Sequence, residues 1–193
     1  MRKEIQKMQN PLLYGGWFLV IILLLGACGS SKTPATPEQL AQLQSLAESR
    51  KFSFEAEFAL PQTSQAYVSA ANATLARAGG NTLSRISLGG EGYFLKMQGD
   101  SVESHLPYYG VRDNFSEYGR PDGIELDAEV ENLKIDKKSS GAYQIRFDAR
   151  MKTERFQITL DMFPGGKANL IVFSGQRDAI RYEGRAIPID EME

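Results

Sequence analysis

From Tyr143 to Met162 the chain alternates with hardly a break. Tyr143, Ile145, Phe147, Ala149 and Met151 fall on one parity, against Gln144, Arg146, Asp148, Arg150 and Lys152 on the other. After Thr153-Glu154 the pattern resumes, with Phe156, Ile158, Leu160 and Met162 against Arg155, Gln157, Thr159 and Asp161. A period of two sends successive side chains to opposite faces of a strand, so both segments read as half-buried β-strands. The link between them is too short for a crossover, which makes the pair antiparallel. Leu133 and Ile135 lead into a turn at Lys138–Gly141. Pro164-Gly165-Gly166 turns the chain into Ala168–Ser174, and a last strand runs near Ala179–Ala186. The C-terminal half is an antiparallel meander.

The preceding half mixes periods. Thr36 suits a helix N-cap, with Pro37 at the first helical position and Gln39 completing a capping box. Leu40, Leu43, Leu46 and Ala47 follow at helical spacing, and Arg50 and Lys51 suit the helix C-terminus. At Phe52 the period changes to two. Phe52, Phe54, Ala56, Phe58 and Leu60 alternate with Ser53, Glu55, Glu57 and Ala59 up to Pro61, which predicts a strand. Ser64–Ala78, with Tyr67, Ala71, Leu75 and Ala78 spaced as on a helix before Gly79-Gly80, predicts a second short helix. Short strands are expected near Leu83–Leu88, Tyr93–Gln98 and Ser101–Leu106, the last two joined by a tight turn at Gly99-Asp100. Pro107–Asp127 reads as irregular.

One face of the meander is charged and the other apolar, and the apolar face must be buried. Two short helices cover only part of it. The expectation is an α+β fold dominated by antiparallel sheet, either curled into a half-barrel or packed as a sandwich, with one or two N-terminal helices. The surplus apolar face also leaves room for an apolar ligand.

The N-terminus reads as an address. Arg2, Lys3 and Lys7 precede nine unbroken apolar residues, Trp17–Leu25. This is the plan of a secretory signal, and the run falls short of the roughly 20 residues that span a bilayer. Leu25-Gly26-Ala27-Cys28 resembles the lipobox of bacterial lipoproteins, which implies cleavage before Cys28 and acylation of its thiol. Each buried methylene contributes about 0.8 kcal/mol, so stable anchoring takes more than one chain. Cys28 is the sole cysteine, and an acylated thiol leaves nothing to mispair, whereas exported chains commonly use cysteines in pairs. In lipoproteins of Bacteroidetes type, acids just after the cysteine mark export to the cell surface. Residues 29–36 hold none, so the expected location is the outer membrane, lipid-anchored and facing the periplasm.

The resulting layout is a signal over 1–27, a tether over 28–37, one domain over 38–187 and a tail over 188–193. Without the signal, 19 basic residues face 23 acidic ones. That balance gives no basic stripe for nucleic acid and no polybasic patch for anionic lipid.

Several stretches resemble domain of unknown function family 4251 (DUF4251), common among Bacteroidetes lipoproteins. They are Gly99-Asp100-Ser101-Val102 with Leu106-Pro107-Tyr108-Tyr109-Gly110, then Gly123–Asp127, Phe163–Ala168, and Gln176-Arg177 with Ile180–Gly184. Tyr109 stands where that family more usually has Phe. The resemblance implies a domain and brings no activity, cofactor or catalytic residue.

Chemistry is sparse. His105 is the only histidine; Ser101 and Glu103 share its strand face, but side chains in line on one strand run parallel instead of converging as a triad does. Histidine–cysteine metal sites are excluded by count. Asp113, Asn114, Glu117 and Asp122 match no calcium loop, and no cofactor motif appears. The best candidate surface is Pro107–Pro121, where Tyr108, Tyr109, Phe115 and Tyr118 offer rigid contact area with polar tips. The expectation is a non-enzymatic binding module for an envelope protein, held to the membrane through Cys28. A carrier of an apolar ligand is the alternative, and a hydrolase with an unrecognised site comes third. Replacing Cys28 with Ala should abolish acyl labelling and release the protein from the membrane fraction; attachment that persists without label would make the apolar run an uncleaved anchor.

Overall fold

The computed structural model describes residues 34–61, 85–109 and 123–189. The readings made for Cys28, the signal, the helix over Ser64–Ala78, Phe115 and Tyr118 lie outside these described residues. Among the described residues no helix is long and apolar enough to cross a membrane.

Helix α1 (Pro37–Ser49) starts as its sequence dictates. Gln39 N–H donates to Thr36 Oγ1 (3.3 Å) and Thr36 N–H donates to Gln39 Oε1 (3.1 Å), which pairs two otherwise orphaned amides. Its buried side is Leu43 and Ala47. The basic pair does not serve the helix dipole, because the last turn holds no basic residue. Arg50 is instead the left-handed C-cap (φ 54°), with its guanidinium on Asp100 at 2.5 Å. Lys51 already opens the first strand.

Among the described residues nine strands follow: β1 (Lys51–Pro61), β2 (Ile86–Ser87), β3 (Phe94–Gln98), β4 (Ser101–Leu106), β5 (Ile124–Lys137), β6 (Tyr143–Met151), β7 (Glu154–Met162), β8 (Lys167–Ser174) and β9 (Arg177–Pro188). From β3 onward each pairs antiparallel with the next, and β9 returns to pair antiparallel with β1. The sheet is therefore a closed eight-stranded barrel. The ninth strand, β2, adds to β1 at Phe58 and Ala59, beyond the stretch Lys51–Glu55 that β3 occupies. With its one short helix this is an α+β fold in which β dominates. An eight-stranded barrel has an interior just wide enough for side chains. Phe52, Phe54, Met97, Phe156, Leu160 and Tyr182 are among the side chains turned into it.

The two ends differ. At one, α1 lies beside the β5–β6 and β7–β8 turns, with Leu40 against Gly141 and Gln39 near Gly165. The strands leave from the other end into the β6–β7 and β8–β9 turns, and the chain after Leu106 also departs there.

Closure needs an irregularity. Between Ala56↔Gly184 and Phe58↔Glu183, β1 carries one extra residue, Glu57. Such a bulge reverses the facing of everything after it. Ala59 is consequently buried, while Phe58 and Leu60, expected inside, lie outward and half-covered. The guanidinium of Arg85 sits 3.5 Å over the Phe58 ring and covers it. β5 also corrects the sequence reading: Ile124–Asp127, taken as irregular, is already strand. Ile124 and Leu126 are buried opposite Leu106 and Ser104, a pairing that local sequence does not disclose.

At Gly184 the closing strands leave no room for a side chain, since a Cβ there would overlap the Glu55 carbonyl. Gly184→Ala should cost at least about 1–3 kcal/mol in urea unfolding. Gly175→Ala, where a Cβ meets nothing within 4 Å, should stay within about 0.5 kcal/mol of the parent.

Candidate functional site

The end away from α1 is held by a buried ion pair that local reading missed. Glu154 looked like a turn residue, yet it begins β7 in phase with Phe156 and Ile158 and is only 5% exposed. Its inward parity was the signal for a buried acid. Arg177 meets it with both oxygens engaged: Nε donates to Oε1 (2.8 Å) and Nη2 to Oε2 (2.9 Å). Ser174 Oγ donates to the same Oε1 at 2.7 Å. The third guanidinium nitrogen, Nη1, donates to the Gly123 carbonyl at 2.9 Å. The guanidinium carbon lies 5.3 Å from the Tyr108 ring centroid and 5.4 Å from that of Phe156. The planar fork thus uses its donors on one carboxylate and one carbonyl, and its faces on aromatic rings.

Tyr108 and Tyr109 are neighbours with different surroundings. The Tyr108 hydroxyl donates to Asp178 O (3.0 Å), and the Tyr182 hydroxyl donates to Pro107 O (2.6 Å). Pro107-Tyr108 is thereby fastened down on the barrel. Burial pushes the Tyr182 phenol well above the ordinary tyrosine value; Tyr108 and Tyr109 add to the shift, and Arg177 partly offsets it. Tyr109 is 40% exposed. Its phenol is also raised, by partial burial first and then by Tyr93 and Glu91.

His105 belongs to the same neighbourhood. Its ring stacks on Tyr93 with centroids 5.4 Å apart and planes at 28°. Its Nδ1 lies 2.7 Å from Glu125 Oε1. A carboxylate only accepts, so Nδ1 carries the proton. Ser101 and Glu103 do not converge on it: Ser101 Oγ donates to Gln98 O, at the other end of β4. Among the described residues no three His, Cys, Asp or Glu side chains gather as a metal site. What remains is an aromatic surface of Tyr93, His105 and Tyr109, edged by Glu91 and Glu125 and rigidly backed by Tyr108 and Arg177.

A closed antiparallel barrel with one capping helix and a fastened aromatic segment defines the class as a β-barrel domain of α+β type. The sequence profile of the domain of unknown function DUF4251 matches residues 35–186, and the chain belongs to that family. It is similar in fold to the crystal structure of a DUF4251 family protein from Bacteroides eggerthii. The TM-score is 0.55 at 13% identity, with 80% of this chain and 90% of that one covered. No functionally curated protein matches the sequence.

Two measurements check the anchoring. Arg177→Met strands a buried carboxylate and should destabilise by about 3–5 kcal/mol, whereas pairing it with Glu154→Leu should recover much of the loss. For Tyr182 the folded value lies above the unfolded one near 10. Its contribution is therefore complete below about pH 10 and declines as pH rises further, because only the unfolded chain ionises freely. Tyr182→Phe should flatten that alkaline decline in a plot of urea midpoint against pH.

Proposed function

We propose that the domain is a non-catalytic binding module, held to the outer membrane through acylated Cys28 and facing the periplasm. The observation that carries the reading is Tyr109, an exposed ring beside the Tyr93–His105 stack while its neighbour Tyr108 is bonded into the barrel. Exposed rings on a rigid base lose little conformational entropy when they are covered, a property that enriches tyrosine at binding surfaces.

Photo-crosslinking in intact cells from an unnatural residue at the exposed position 91 tests the proposal. Tyr109→Ala, leaving Tyr93 and Tyr108 in place, should remove an envelope partner from the captured set without lowering the melting temperature. An unchanged set would overturn the role of this surface. A stoichiometric apolar passenger released on organic extraction of the purified protein would replace the reading with that of a carrier.

A further inference from the structure

The wall of the barrel is not paired along its whole length. β4 pairs with β5 through Ile124–Glu129, while β6 pairs with β5 only from Val130 onward. Between Ile124 and Glu129, among the described residues, β5 has a strand on one side only. Val130 N–H donates to the Asp100 carbonyl at 2.8 Å, which directs the backbone groups of even-numbered residues here toward β4. Those of Glu125 and Asp127 point the other way, because the bonding direction alternates along a strand. At the top of the opening Arg177 satisfies the carbonyl of Gly123, the preceding odd-numbered residue. Below it, Met151 borders a shallow cleft of about 690 Å³ whose lining includes Glu103, Glu125, Leu126 and Asp127.

Open strand edges are commonly guarded by lysine, proline or a covering element. This one is acidic. Glu125, Asp127 and Glu129 stand along β5, Glu103 lies directly opposite Asp127 on β4, and neither β4 nor Ile124–Glu131 holds a Lys or Arg. Glu125 has His105 as its partner and Glu131 has Arg150. Lys96 of β3 stands opposite Glu103, and Asp127 and Glu129 form no ion pair among the described residues. Like charges placed directly across a pair of strands are destabilising, and a cation brought beside them relieves that cost.

We propose that this edge of β5 receives an extended polypeptide segment by strand addition, one with Lys or Arg at every second position. Main-chain bonds to Glu125 and Asp127 supply the pairing that β6 does not reach. The two-residue period of the added strand sets its cations over the carboxylates of Glu125, Asp127 and Glu129, with the intervening side chains turned toward Met151 and the inner side of the wall. The surface adjoins the aromatic end and shares Glu125 with it, but neither Tyr93 nor Tyr109 takes part.

The test uses the full chain in detergent micelles and short synthetic peptides: alternating lysine and valine, the same residues in two blocks, and alternating glutamate and valine. The alternating lysine peptide should bind about tenfold or more tighter than the block peptide and slow hydrogen exchange around Glu125 and Asp127. Asp127→Lys with Glu129→Lys should transfer the preference to the glutamate peptide. Asp127→Pro removes an amide that makes no bond within the sheet and should weaken binding about tenfold. If that variant fails to fold, the charge-reversed pair still decides. Equal binding of alternating and block lysine peptides would mean charge attraction without strand addition and would overturn the proposal. So would a lysine preference that survives charge reversal, or binding that leaves exchange at Glu125 and Asp127 unchanged.

Discussion

The pairing of β1 with β9 is the contact on which the rest of this barrel depends. The first and last strands meet only after everything between them is in place, so loop-closure entropy opposes their pairing until the other strands have formed. Their approach leaves no room for a side chain at Gly184, and the extra residue at Glu57 lets β1 turn with the barrel wall. Without that closure β9 would end the sheet with an open edge, and Tyr182, Ile180 and Ala186 would face an incomplete core. With it, β1 and β9 join into one wall and α1 covers one end with Leu43 and Ala47.

The other end is organised by charge and aromatic stacking. A buried ion pair is weak evidence for stability, because desolvation offsets much of the attraction. Its value here lies in what it joins. Arg177 reaches β7 through Glu154, the start of β5 through the Gly123 carbonyl, and the segment after β4 through the Tyr108 ring. Three stretches that resemble the family, around Pro107-Tyr108, Gly123 and Gln176–Gly184, come together at this one place. The same fastening that makes Tyr108 structural leaves Tyr109 as the ring presented to solvent.

Much of the scaffold was legible in the sequence. The capping box at Thr36–Gln39 and the strict alternation of β6 and β7 are local signals, and the structure has them where they were read. Phe58 and Leu60 were assigned to the core because alternation was carried through Glu57, and only the register against β9 shows that a residue there is surplus. Ile124–Asp127 was read as irregular because it follows a Tyr-, Gly- and Pro-rich stretch, though its parity already suited a strand. Glu154 was left in the link before the second strand, and its partner, Arg177, lies on a different strand. At the candidate site, Tyr108 and Tyr109 were identified together, but not the division of labour between them. His105 was read correctly as a partly exposed strand residue, without its stack on Tyr93 or its bond to Glu125.

By itself, then, the sequence determined the antiparallel meander, the capped helix α1 and the family. Each of these follows from side-chain period, turn chemistry or short motifs acting over a few residues. Closure of the sheet, the reversal of facing after Glu57, the Glu154–Arg177 pair and the unpaired edge of β5 were decided only in the tertiary structure. They depend on which distant strands meet and in what register, and that is set by the joint requirement to bury one face of every strand around a single interior.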